Sequence, residues 1–472
     1  MRSRAATISA LLVLLLSACG ARLTAAQREA GIGALGGGGS TGGDIGAAGG
    51  SKTGTNIGST TGGTGGSGTT GAGGAGAGAA ACGGSGPNTA SDVGVTPTQI
   101  NVATASDVSG VQAALFKSTH YAMAAWAAMV NTQGGLCGRT IKSDLLDTKA
   151  NSTDNQAAVT QACGGDFALV GSMSAFDNGG AEAGQKCGIP DLTAITVNGD
   201  RAKATNVFPI YPIRPDKFAI GTANYIKATY PQVIKHAAMI YLDAAVTRVN
   251  ALQRVKAYKT VGFDYGGPHD DQVYAVQILE PNYGPYVDKM KSAGVQYVSM
   301  VANYQSIQKL LDAMDTAGWF PTVRDWDSVA YSDQFVNVNG APYTHANGSL
   351  VFLNTNIAEE SSSNPEMQLY ITWLNRVAPG NKPDYFGFYA WSAGRLFQQL
   401  ATQIGPKLTR KALFDAVKKV HSWDGHGLHA AQNVGDKIMS PCFLYLTIQN
   451  GMFFRKAPSS GFICNKGGII DT

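Results

Sequence analysis

The chain has 472 residues, 44% of them hydrophobic and 14% charged, and a formal net charge of +4. The slight basic excess is spread along the chain without a dense Lys/Arg stripe, which argues against nucleic-acid binding. Beyond residues 11–16, every apolar stretch is broken by charge, Pro or Gly well short of the ~20 residues that span a bilayer.

The first element in chain order is a leader. Arg2 and Arg4 precede the apolar run Leu11-Leu12-Val13-Leu14-Leu15-Leu16, and Ser17-Ala18-Cys19-Gly20 follow. A basic start, a short apolar core and small residues at a cleavage point describe a secretory signal peptide over residues 1–18. Leu16-Ser17-Ala18-Cys19 resembles the bacterial lipobox. That resemblance implies acylation of Cys19, palmitate among the chains, and anchoring at the extracytoplasmic face of the cell membrane. An ordinary signal peptide that happens to contain a Cys is the alternative. Residues 31–86 hold 26 of the 60 glycines, mixed with Ser, Thr and Ala. Such a stretch cannot bury enough apolar surface to fold, so residues 19–86 read as a tether with a mean reach of about 45 Å.

About 380 residues remain from Val93 onward, a length that suits two lobes. A strand is expected at 99–104, a helix at 117–130, a strand at 139–146 and a helix at 153–163. A short buried strand at 166–171, a helix at 177–188 and a strand at 189–193 follow. The alternation recurs: a helix at 216–230, a strand at 236–242, a helix at 246–258, a strand at 297–301 and a helix at 306–317. Strands alternating with helices imply βαβ units and parallel sheets, an α/β fold. Near the end, 443–449 and 452–455 flank Asn450-Gly451, the turn of a hairpin.

Seven Cys are present, and six remain if Cys19 is acylated. An even number in an exported chain suggests disulfides. Cys163 and Cys187 each end a helix just before a strand of one sheet, which places them together. Cys442 and Cys464 flank the hairpin, and Cys82 with Cys137 staples the tether to the first lobe. Free buried thiols are the alternative. With no CxxC spacing, a zinc site is not expected.

Ligands of open parallel sheets bind beyond the carboxyl ends of the strands. The loops so placed are 105–112, 172–177, 194–198, 243–247, 303–304 and 331–334. In the second, Ser172 and Ser174 precede a helix whose free amides favour a carboxylate, although either Ser could simply cap that helix.

Several stretches together resemble the type I periplasmic binding proteins, near the branched-chain amino-acid (leucine/isoleucine/valine) binding components of ABC transporters. They are Ile100-Asn101-Val102, Asn131-Thr132-Gln133-Gly134-Gly135-Leu136-Cys137-Gly138-Arg139, Ala168-Leu169-Val170-Gly171-Ser172, Gly188-Ile189-Pro190, Asn206-Val207-Phe208 and Met290-Lys291-Ser292-Ala293-Gly294-Val295. The resemblance covers roughly residues 95–455. It implies two Rossmann-like lobes joined by a three-crossover hinge, residues 94–213 with 345–438 and residues 214–344 with 439–472. It implies a small amino-acid-like or amide-like ligand between them, with ABC permease and ATPase subunits as partners.

By that resemblance Ser172, Ser174, Ala175 and Thr196 hold the ligand carboxylate, and Asp333 holds an ammonium. Asn303, Tyr304 and Phe116 form walls. A capping role in a solvated loop is the other reading of Asp333. The family's Tyr has no counterpart near Ala245-Val246-Thr247. An enzyme is not expected: no Gly-x-Ser-x-Gly forms a nucleophile elbow, the Gly38-Gly39-Ser40-Thr41-Gly42 string lying in the Gly-rich tether, and the chain has no His-Glu-x-x-His motif. Nor does a Gly-x-Gly-x-x-Gly follow a strand, and no cofactor is expected. His421, His426 and His429 around Trp423 read as loop polarity, with a metal site as the lesser option. A sensory or structural surface lipoprotein of the same fold is the alternative to a transport role.

Overall fold

The computed structural model describes residues 82–110, 115–464 and 468–472. The leader, Cys19 and most of the tether therefore lie outside the described residues. In the first lobe β1 (Gln99–Ser106) is followed by α1 (Lys117–Thr132), β2 (Thr140–Asp147), α2 (Ser152–Gly165) and β3 (Ala168–Val170). Then come α3 (Asn178–Cys187), β4 (Asp191–Leu192) and α4 (Gly199–Lys203). The strands form a parallel sheet in the order β2-β1-β3-β4.

The second lobe opens with β5 (Lys217–Ala219), α5 (Gly221–Thr229), β6 (Ala237–Leu242), α6 (Ala245–Val261) and β7 (Val273–Val276). It continues with α7 (Gly284–Ser292), β8 (Tyr297–Val301), α8 (Tyr304–Thr316), β9 (Val323–Trp326) and α9 (Asp333–Val336). The small hairpin β10 (Asn337–Val338) and β11 (Ala341–Pro342) precedes β12 (Leu350–Leu353). The chain then returns to the first lobe as α10 (Pro365–Val377), α11 (Tyr385–Ile404) and α12 (Arg410–Val417). It ends in the second lobe with β13 (Cys442–Gln449), β14 (Met452–Ala457), β15 (Ile463–Cys464) and β16 (Ile469–Asp471). The large sheet runs β14-β13-β12-β9-β8-β6-β7, parallel from β12 to β7 and antiparallel at β13 and β14.

Two expectations are corrected. Residues 217–219 do not begin a helix at 216: they extend as β5 because Ile469–Asp471 pairs with them, and α5 starts only at Gly221. The crossover placed at 345 falls after Leu353, because β12 bonds to β9 in the second sheet.

The turn at 131–139 shows why its residues are needed. Gly135 has φ +79°, and a Cβ there would lie 2.1 Å from the Arg139 carbonyl oxygen. The buried Arg139 guanidinium donates to the carbonyls of Thr89, Thr96 and Pro406 at 2.9–3.1 Å. It thereby ties the entry of the chain to the segment after α11. Disulfides join Cys82–Cys137, Cys163–Cys187 and Cys442–Cys464, with Cα–Cα distances of 5.5, 6.0 and 4.2 Å.

Between the lobes, two of the linking segments lie side by side. Ala430 N–H donates to Asn354 C=O at 2.8 Å and Asn356 N–H to Leu428 C=O at 2.7 Å. Among the described residues no helix is long and apolar enough to cross a membrane.

Candidate functional site

A cavity of about 300 Å³ lies between the lobes, at the carboxyl ends of both parallel sheets and against the linking segments. That is the lower end of the roughly 300–1,000 Å³ usual for small-molecule sites. Its first-lobe wall is apolar: Phe116, Met173, Ala175, Ile195 and Phe386. Phe116 packs edge-on to Phe386 with centroids 4.7 Å apart. Tyr211 joins them, stacked 5.5 Å from Tyr389, and burial pushes its hydroxyl up to about 12.

The second-lobe wall mixes Leu242, Val301 and Phe352 with a polar set, Asn250, Arg254, Asn303, Asp327 and Ser328. Arg254 is 3% exposed. Its guanidinium donates to Ser299 Oγ at 3.1 Å, reaches Asp327 Oδ2 at 3.4 Å and lies 5.3 Å from the Phe352 ring centroid. Burial raises the Asp327 carboxyl above its usual range, and Arg254 opposes the shift. Among the described residues, Arg254 Nε and Asn250 Oδ1 are buried without a hydrogen-bond partner. At the linking segments Asn354 Oδ1 accepts from Tyr385 and Tyr389 hydroxyls at 3.0 and 2.8 Å.

Of the residues singled out from the sequence, the structure brings Phe116, Ala175 and Asn303 to the cavity. Asn303 caps α8, its side chain accepting from Ser306 N–H at 2.9 Å. Ser172, Ser174, Thr196, Tyr304 and Asp333 do not line it. The reason is Asp107. Its carboxylate accepts from Ser174 Oγ and Ala175 N–H, both at 2.8 Å, and from Thr148 Oγ1. The Ala175 amide thus already has a carboxylate supplied by the chain itself, and Phe176 N–H donates to Ser174 Oγ at 3.0 Å. Ser172 Oγ accepts from Ala105 N–H at 3.1 Å, and Thr196 Oγ1 donates to Ile213 C=O at 3.2 Å. Tyr304 is half-buried at the start of α8. Asp333 sits in the first turn of α9 and accepts from Asn337 Nδ2 at 2.9 Å.

The three histidines have separate surroundings. His429 is buried, its Nε2 2.8 Å from Ser392 Oγ, and burial lowers its imidazole to about 4. His426 packs edge-on to Trp423, and His421 is exposed beside Asp436. Among the described residues no three His, Cys, Asp or Glu side chains converge as a metal site.

Sequence reasoning missed Asn250, Arg254, Asp327 and Asn354. Asn250 and Arg254 lie in mid-helix, one turn apart, and their only sequence signal is a polar pair on a face that also carries buried Ala251, Val255 and Tyr258. Asp327 and Ser328 follow a strand end the pattern did not mark.

Two lobes of parallel sheet with a cavity at the carboxyl strand ends define the type I periplasmic binding protein fold. The family model described as "Periplasmic binding protein" matches residues 99–451, and the chain belongs to that family. No curated protein matches it by sequence. Among solved structures it is similar to a fatty acid ABC transporter substrate-binding protein from Thermomonospora curvata. The TM-score is 0.66 at 16% identity, covering 80% of this chain and 95% of that one. A branched-chain amino acid transporter substrate-binding protein from Streptococcus pneumoniae, in complex with isoleucine, gives 0.63 at 13% identity, covering 78% and 100%. A solute-binding protein of an ABC transporter from R. palustris, in complex with 4-hydroxybenzoate, gives 0.61 at 15% identity, covering 76% and 95%.

Proposed function

We propose that this chain is the lipid-anchored, extracytoplasmic solute-binding component of an ABC importer. It captures a small amino-acid-like, amide-like or carboxylate ligand between its lobes and performs no chemistry on it. The observation that carries the reading is the interlobe cavity, apolar over most of its wall and polar at a few convergent side chains. The family, and the substrate-binding proteins of ABC transporters among its structural relatives, support it. Permease and ATPase subunits are the proposed partners. The lipid anchor rests on Leu16-Ser17-Ala18-Cys19, outside the described residues.

The test is thermal unfolding of the oxidised chain from Gly20 onward against amino acids, their amides, aromatic acids and sugars. A ligand at 1,000 times its Kd adds about 4 kcal/mol, which moves the melting temperature by several degrees. No shift across the panel would favour a sensory or structural surface lipoprotein. In the producing cell, Cys19→Ser should move the protein from the membrane to the soluble fraction; retention at the membrane would refute the anchor.

A further inference from the structure

We propose that Arg254 receives the carboxylate of the ligand, so that the acid end lies against the second lobe and the apolar end against the first. This deepens the solute-binding reading and rests on it.

Among its described residues the first lobe has little left to offer an acid. Before α3, Asp107 takes the Ala175 amide and Ser174 Oγ takes that of Phe176, and the hydroxyls of Ser172, Ser174 and Thr196 are engaged inside the lobe. Its cavity wall is Phe116, Met173, Ile195 and Phe386.

On α6 the opposite holds. Thr247, Asn250 and Arg254 follow an i, i+3, i+7 spacing and all face the cavity. Thr247 spends its hydroxyl on the backbone of Leu242 and Ala244. Asn250 and Arg254 each keep a buried polar atom unmatched among the described residues. A buried polar group without a partner is costly, so a ligand that supplies one is favoured. The Arg254 contact to Asp327 is single and long, at 3.4 Å, and leaves donors of the planar guanidinium for a second acceptor. A carboxylate fits that fork better than any neutral group. Arg214 and Lys217 also line the cavity, but each already pairs with a carboxylate, Asp216 and Asp471, both at 2.6 Å, which leaves Arg254, with its one long contact to Asp327, as the cation open to a ligand. The unmatched acceptor on Asn250, one turn from Arg254, suits a donor on the carbon next to the acid, whether hydroxyl or ammonium.

Isothermal titration of the oxidised chain with matched probes tests this. The probes are 4-methylpentanoate, its 2-hydroxy derivative, leucine and 4-methylpentanamide, with phenylacetate and phenylacetamide for an aromatic tail. In the better-fitting tail series the acid should bind at least tenfold more tightly than its amide. Arg254→Lys should abolish most of that ratio while changing the amide's affinity less than twofold, and Ser174→Ala should preserve it. Asn250→Ala should weaken only the 2-hydroxy acid or the amino acid, which tells the two donors apart. If Arg254→Lys does not fold, the wild-type ratio decides. Amide and acid binding within twofold of each other, or a ratio that survives Arg254→Lys, would overturn the orientation alone. No binding by any of the six would overturn the carboxylate assignment, while the solute-binding reading stands or falls with the wider thermal panel.

Discussion

Asp325 sits behind the cavity's polar wall, buried at the end of β9. Its Oδ2 accepts from the Tyr297 hydroxyl at 2.7 Å and the Tyr445 hydroxyl at 3.2 Å, and its Oδ1 has no partner. Burial is the largest influence, and it pushes the carboxyl up to about 7 despite those bonds and the nearby Arg254. A carboxyl raised on folding is protonated in the native state while the unfolded chain has released its proton. Its contribution is therefore full below the unfolded value near 4 and is lost as pH rises through about 7. His429 runs the other way: its lowered imidazole adds stability above the unfolded value near 6.5 that is lost as pH falls toward 4. Comparing a variant with the wild type cancels the histidine. Asp325→Asn stays neutral at every pH, so its stability relative to wild type should rise by about 3 kcal/mol between pH 4.5 and pH 8. Urea unfolding at the two pH values measures this. An unchanged difference would mean that Asp325 is ionised throughout, held so by Arg254.

Cys163 and Cys187 link the carboxyl ends of α2 and α3, at the edge of the first sheet where β3 and β4 begin. The cavity lies beyond the opposite ends of those strands. The bond closes a loop with a sequence separation of 24 residues, worth about 3 kcal/mol by restricting the unfolded chain. Cys163→Ala with Cys187→Ala should therefore cost about that much in urea unfolding and leave ligand affinity unchanged. A large loss of affinity would show that α3 transmits strain to the 172–177 loop. This pairing was legible because it follows from where helices stop and strands start. The terminal hairpin was legible from Asn450-Gly451, for the same local reason. Helix α11 was not: its first ten residues, 385–394, are all buried and show no polar face, and only its second half carries a helical stripe, Arg395, Gln398, Gln399, Thr402 and Gln403. Gly394 on it lets the Trp126 ring approach so closely that a Cβ would lie 2.7 Å from ring atoms. Strand β5 was hidden because its partner lies some 250 residues away. The site divided in the same manner. The strand-end rule found the loops of Ala175 and Asn303. For Ser172 and Ser174 it left ligand contact and capping both open, because their engagement depends on Ala105 and Asp107 far off in sequence.

At the scale of the molecule, three chain segments join the two lobes, Tyr331 of the second packs against Phe388 of the first with ring centroids 6.0 Å apart, and the cavity takes walls from both. Its apolar surfaces, Phe116 and Phe386 on one side and Phe352 and Val301 on the other, belong to different rigid sheets and helices. A ligand that fills the space removes apolar area of both lobes from water, at about 25 cal/mol per Å². That gain exists only in an arrangement where both walls contact the ligand, so the ligand binds the closed arrangement better and shifts the population toward it. The change should fall in the linking segments, with each sheet moving as a unit. Small-angle scattering with saturating ligand should then show a smaller radius of gyration and a narrower distance distribution than the ligand-free protein. Phe352→Ala should weaken both the affinity and the compaction, because it removes second-lobe surface and the ring that lies against Arg254. Tight binding without compaction would instead mean that the cavity is set before the ligand arrives. Selectivity would then rest on the fixed positions of Arg254 and Asn250 rather than on closure.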